Sequence, residues 1–126
     1  MISLNESRRL VIKVGSALLV DEDGNLRSKW IDELVADATE LFRNGTEIII
    51  VSSGAIAVGR RILGLAAGPR NRALRLEESQ AAAATGQVRL AHSWQEALAS
   101  HNLLAAQILL TTEDTENRRR YLNARS

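Results

Sequence analysis

Two short stretches combine residue types that can act on an anion. The first is Lys13-Val14-Gly15-Ser16. Lys13 breaks the apolar run Leu10-Val11-Ile12, and a buried strand does not accept a bare ammonium cheaply. It either ends the strand and meets solvent, or it faces an anion. Lysine beside a glycine turn is a phosphate-binding combination in general terms. The second stretch is Ser53-Gly54-Ala55, directly after Ile48-Ile49-Ile50-Val51-Ser52. There an apolar strand turns into a small-residue helix start. The first turn of a helix offers free N–H groups and positive dipole charge. In open α/β sheets, ligands gather at the carboxyl ends of strands. The same three residues would also serve as a plain strand–helix turn, with serine as cap and glycine for backbone room. Neither GxxxxGK[ST] nor GxGxxG occurs, so neither a P-loop nor a dinucleotide fingerprint explains the glycines.

The elements that must hold these corners follow from the patterning. Residues 9–14 read as the first strand and residues 47–52 as a second. Four consecutive β-branched residues, Ile48 to Val51, predict burial on both faces of a parallel sheet. Between the strands, Leu18 to Arg27 suggests a short hairpin around Asp23-Gly24, or a surface loop. Ser28 suits the N-cap of a helix whose apolar stripe is Ile31, Leu34, Val35, Ala38, Leu41 and Phe42. Asn44-Gly45 stops it. Strand–helix–strand in this order predicts a parallel crossover. A short helix follows over residues 55–63, ending at Gly64. The segment around Pro69, the only proline, reads as a turn-rich loop. Glu77 to Ser100 is a long helical stretch. Its predicted face is Ala84, Val88, Ala91, Gln95 and Leu98, with Leu90 and Trp94 beside it. Gly86 in its interior implies close helix packing or a kink. Residues 103–110 read as a third strand, and residues 115–124 as a last helix carrying Arg118-Arg119-Arg120.

Composition bounds the function classes. The chain has 126 residues, 45% hydrophobic and 25% charged, with a net charge of +1. That is an ordinary globular balance, with no bulk electrostatic case for nucleic acid or a membrane surface. There is no cysteine, which excludes disulfides and thiolate zinc sites and fits a cytoplasmic protein. His92 and His101 stand nine apart with no ligand motif around them and read as helix-surface or helix-end residues. Residues 1–8 read as a flexible lead-in without signal-peptide character. No segment approaches the roughly 20 apolar residues of a membrane span.

With both corners in view, the sequence resembles the amino acid kinase family. The carrying stretches are Leu10-Val11-Ile12-Lys13-Val14-Gly15-Ser16, Val51 to Arg60 (VSSGAIAVGR), and Gln80 to Gln87 (QAAAATGQ). A fourth runs from Gln107-Ile108-Leu109-Leu110-Thr111 on to Arg119-Arg120-Tyr121-Leu122-Asn123-Ala124-Arg125. The resemblance implies an α/β fold, a three-layer α-β-α sandwich with a mainly parallel sheet. It implies that residues 1–126 are the N-terminal, substrate-binding part of the kinase domain. The implied activity is transfer of the ATP γ-phosphoryl group to the side-chain carboxylate of L-glutamate, the first step of proline biosynthesis, with Mg²⁺ accompanying ATP. By the same resemblance Lys13 is catalytic, and Lys13, Gly15 and Ser16 contact the ATP phosphates. Ser53, Gly54 and Ala55 hold glutamate. Ser79 stands where much of the family is expected to carry lysine. The family's downstream Asp and Asn, second lysine and adenine-binding segments would lie past Ser126, so this segment by itself is expected to be inactive. The full-length enzyme is expected to be a cytoplasmic homo-oligomer. The alternatives are a sibling acting on acetylglutamate or a nucleoside monophosphate, and a non-catalytic binding or assembly module.

Overall fold

The computed structural model describes residue 6, residues 8–65 and residues 73–109. Two strands, β1 (Arg9–Val14) and β2 (Glu47–Ser52), form a parallel pair, and the elements α1 (Ser16–Leu19), α2 (Ser28–Arg43), α3 (Ala55–Ile62) and α4 (Leu76–Ala99) complete the order. Both strands fall where the β-branched runs placed them. The predicted loop around Pro69 and the last helix lie outside the described residues, as does most of the lead-in.

The sheet is two-sided in chemistry. Leu10, Ile12 and Val14 of β1 and Ile48, Ile50 and Ser52 of β2 alternate with outward neighbours, as the period of a strand requires. The inward face meets α2 and α4 in one core of Val14, Leu19, Val20, Ile31, Val35, Val58, Leu90, Trp94 and Ala97. The outward face carries Val11, Ile49 and Val51, at 57%, 45% and 47% exposure, together with exposed Lys13. This corrects the expectation of a strand buried on both sides. Among the described residues, the helices cover one face only. Four β-branched residues in a row measure strand propensity; they do not say how many layers pack on the strand.

The connection after β1 holds the expected short hairpin around Asp23-Gly24, entered through one helical turn. Ser16 to Leu19 make one helical turn, and Val20 meets Leu26 in a single antiparallel bridge. Between them the Asp21 carboxylate accepts the N–H groups of Asp23 and Asn25, both at 2.9 Å. The Asn25 bond is the main reason its pKa lies below the ordinary value. This turn therefore gains from Asp21 above the unfolded carboxyl pKa and loses that support as pH falls through the lower folded value.

α2 begins at Ser28, but Ser28 is not its cap. Arg27 holds that position, and no side chain caps the end. The helix is held instead by its stripe: Ile31, Val35 and Ala38 are buried, with Thr39 beside them, while Phe42 at the end is half exposed. Gly45 has φ 99°, the left-handed geometry that stops the helix and starts β2.

α4 turns inward not the expected face of Ala84, Val88, Ala91, Gln95 and Leu98 but the one beside it, which carries Leu90 and Trp94. Ala82, Gly86, Leu90, Trp94 and Ala97 are buried, while Val88 is 73% exposed. The reason is the approach of α3. A Cβ on Gly86 would overlap the Ala55 carbonyl, and a Cβ on Gly59 would overlap the Ala82 carbonyl. Two helices this close choose the smallest side chains for the seam, and the apolar stripe rotates to follow them. Gly86 thus marks close packing, the first of the two readings its position allowed.

Residues 103–109 form no strand. The Leu103 N–H donates back to the Leu98 carbonyl, closing the end of α4, and Asn102 sits at φ 59°. Leu104, Ile108 and Leu109 are exposed. An apolar run states a need for burial, but this segment pairs with neither strand, although β1 and β2 each leave one edge unpaired among the described residues.

Replacing Gly86 with alanine tests the α3–α4 seam. Helix propensity alone favours alanine by about 1 kcal/mol. Overlap with the Ala55 carbonyl should outweigh it, for a net loss of about 1–3 kcal/mol. Urea unfolding should show a lower midpoint; a raised midpoint would mean that the seam is loose.

Candidate active site

The parallel register decides where the two corners lie. Lys13 pairs with Val51 and Val14 with Ser52, so β1 and β2 end level. One residue further on, the Ser53 N–H donates to the Val14 carbonyl at 3.1 Å, and the Ser53 hydroxyl donates to the same oxygen at 3.2 Å. Gly54 then takes φ 104° and caps α3, a geometry that a residue with a side chain adopts only with strain. Its hydrogen faces β1's corner: a Cβ there would lie 3.5 Å from both Cα and Cβ of Ser16. The two glycine corners are one mouth.

What that mouth offers is donors. Helix geometry leaves the first N–H groups of α3 and of the α1 turn without partners inside their own helices. Gly15 caps α1 and Ser16 opens it; both are exposed. Lys13 lies two residues before Gly15 on the open face of the sheet. Its ammonium makes no hydrogen bond or ion pair among the described residues. Ser53 spends its proton on Val14, so the lone pairs of its hydroxyl oxygen are what it can turn toward a ligand. The structure therefore gathers Gly15, Ser16, Ser53, Gly54 and Ala55 at one end of the sheet, with Lys13 just below. Ala55 has a second task, since its carbonyl is the atom against Gly86.

This donor set suits phosphate and carboxylate oxygens. It does not suit a divalent cation: no carboxylate lies among these residues, and the described residues contain no cluster of three His, Asp or Glu that could hold a metal. A cavity of about 550 Å³ lies elsewhere, between the Gly24 turn, α3 and α4. Arg61, Arg89, His92 and Glu96 line part of it, and no corner residue does. The histidines are on surfaces, as expected: His92 pairs with Glu96 at 3.1 Å on α4, and the His101 carbonyl accepts from Arg43.

One contact of the mouth was not readable from the pattern. The indole N–H of Trp94 donates to the Ser52 hydroxyl at 3.2 Å, from a side chain that is 8% exposed. The two residues are 42 apart, and only an unusual tryptophan in an alanine-rich helix hinted that a polar partner would be needed.

If the exposed Ser53 hydroxyl is anchored as described, Ser53→Ala should leave the fold unchanged, with a midpoint in urea within about 0.5 kcal/mol of the parent. A large loss would assign Ser53 to the fold and not to a ligand.

Residues 8–126 match the amino acid kinase family. The chain is 57% identical to glutamate 5-kinase of Paramagnetospirillum magneticum over 127 aligned residues, covering 100% of this chain and 33% of that protein. It is 57% identical to glutamate 5-kinase 1 of Rhizobium meliloti, covering 98% of this chain and 30% of the relative. For the glutamate 5-kinase of Agrobacterium fabrum the identity is 55%, with 98% and 31% covered. The chain thus spans about a third of the length of the curated relatives it matches. With the family's residues matched along almost the whole sequence and both of its glycine corners meeting at the strand ends, the chain belongs to the amino acid kinase family.

Proposed function

We propose that this chain is the N-terminal part of an ATP-dependent kinase that phosphorylates the side-chain carboxylate of L-glutamate, giving L-glutamyl 5-phosphate for proline biosynthesis. The observation that carries the reading is the contact of Gly54 with Ser16, which puts two anion-accepting turns in one mouth beside Lys13. The substrate follows from the relatives, which are glutamate 5-kinases.

The chemistry asks little covalent work of the protein. A glutamate side chain is already ionised at neutral pH, so no base is needed to activate it. Its oxygen attacks the γ-phosphorus, the bond to the bridging oxygen breaks, and ADP leaves with those electrons. The obstacle is repulsion, because a carboxylate must approach a polyanion in line. Lys13 offsets charge on the transferring group as a point cation. The N–H groups at Gly15 and Ser16 hold the phosphates, and those at Gly54 and Ala55 hold glutamate at the start of α3. Ser53, with its proton on Val14, accepts from the substrate ammonium. Mg²⁺ would come with ATP and supply further positive charge against the phosphates. A cytoplasmic, homo-oligomeric full-length enzyme belongs to the same reading.

The test uses a full-length chimera, with this chain in place of the matching third of the Paramagnetospirillum magneticum enzyme. It should phosphorylate glutamate in the presence of Mg-ATP; a well-folded chimera without that activity would refute the reading. Lys13→Ala should lower turnover by orders of magnitude without unfolding the protein. Lys13→Arg should not restore it, because a planar fork does not replace a point charge. Ser53→Ala should raise KM for glutamate roughly ten- to a hundredfold, the equivalent of about 1.5–3 kcal/mol for one bond to a charged ligand. A change confined to KM for ATP would move Ser53 to the other substrate.

A further inference from the structure

Behind the glutamate turn lies a short chain of polar contacts that the chemistry above does not use. Trp94 is buried in α4, packed in the core beside Leu90 and Ala97. Its only polar atom donates to the Ser52 hydroxyl at 3.2 Å. That hydroxyl in turn donates to the Ser53 carbonyl, at a long 3.4 Å. The Ser53 carbonyl belongs to the peptide whose N–H is that of Gly54. In a trans peptide the C=O and N–H point in opposite directions. No cis peptide is present among the described residues. Holding the carbonyl toward the Ser52 hydroxyl therefore aims the Gly54 N–H the opposite way.

That peptide needs holding. Glycine at 54 has the widest conformational freedom of any residue, and a peptide bordering it can rotate at little cost. Ser53 is tied to Val14 through its own N–H and hydroxyl, which fixes the peptide before it and leaves the one after it free. The Ser52 hydroxyl is the group that reaches this second peptide. A hydroxyl rotates freely unless an incoming donor fixes where its own proton points. The Trp94 indole is that donor.

We infer that Trp94 is a positioning residue for the glutamate site: through the Ser52 hydroxyl it orients the Ser53–Gly54 peptide so that the Gly54 N–H faces the substrate. Trp94 touches neither substrate nor reacting atoms. The inference rests on the reading of the Gly54 corner as the glutamate site. It assigns α4 a role in glutamate binding beyond packing, since the helix that sets α3 in place also sets the last peptide before it.

The chimera tests it, with Trp94→Phe keeping an aromatic ring and removing the donor. KM for glutamate should rise about fivefold, the effect of losing one neutral hydrogen bond, while kcat and KM for ATP stay within twofold. Ser52→Ala removes the acceptor with almost no change in volume and should give the same rise. The double variant should be no worse than either single, because all three remove one relay. Ser52→Thr, which keeps the hydroxyl, should restore KM to within twofold of the parent. The inference is overturned if Ser52→Ala leaves KM for glutamate within twofold, if both Michaelis constants rise together, or if the two effects multiply. Should Trp94→Phe fail to fold, the Ser52→Ala and Ser52→Thr pair decides alone. A parent chimera without glutamate kinase activity would overturn the functional reading itself. An active parent in which Ser53→Ala raises KM for glutamate and Ser52→Ala does not would overturn this inference only.

Discussion

Gly86 of α4 lies against the carbonyl of Ala55, the first residue of α3, and the rest of the site depends on that contact. Only a residue without a side chain permits it. Gly59 repeats the arrangement one turn along α3, against Ala82. A helix start held this closely cannot shift by an ångström without breaking van der Waals overlap along both helices. The N–H groups that open α3 are thereby fixed relative to β2 and, through the level strand ends, relative to the turn after β1. Small residues that look like weak core formers are the ones that position the chemistry.

The second constraint is the one-sided sheet. α2 and α4 bury the face containing Ile12, Val14 and Ile50, while Val11, Ile49 and Val51 stay exposed beside Lys13. A lysine on an uncovered strand face pays no desolvation cost for its charge, so the cation is available at the strand end without a buried partner. The Arg9–Glu47 pair at 2.8 Å marks the opposite end of the same register, but both side chains are well exposed and the pair adds little stability. What sets the register is the inward apolar row, since a slip by one residue would turn Ile12 and Ile50 outward.

Much of this was legible in the residues. Both strands, the stop at Gly45 and the span of the long helix follow from β-branched runs, a glycine after a helical stripe, and alanine-rich propensity. The two corners were legible as turns, because serine and glycine at a strand end before small residues suit a strand–helix turn; whether such a turn takes a ligand is not written in those residues. Their meeting was not, since it comes from Val14 pairing with Ser52 across 38 residues. The inward face of α4 lies beside the expected one, on the side of Leu90 and Trp94, because the seam with α3 brings Ala82 and Gly86 inward. The run at 103–109 has strand composition but pairs with neither strand. The one-turn α1 is too short to show a period. The Trp94–Ser52 bond depends on a fold-level approach of α4 to β2 that no local pattern encodes.

The central claim is that the two corners divide the substrates within one mouth, with glutamate at Gly54 and the nucleotide phosphates at Gly15. The direct measurement is amide NMR of the chimera labelled with ¹⁵N-glycine, titrated separately with L-glutamate and with a non-hydrolysable ATP analogue in the presence of Mg²⁺. Glutamate should move the Gly54 resonance most, the nucleotide should move Gly15 most, and each ligand should perturb the other's glycine more weakly across the shared mouth. Glutamate shifting Gly15 while leaving Gly54 in place, or neither glycine responding to saturating ligand, would contradict the account.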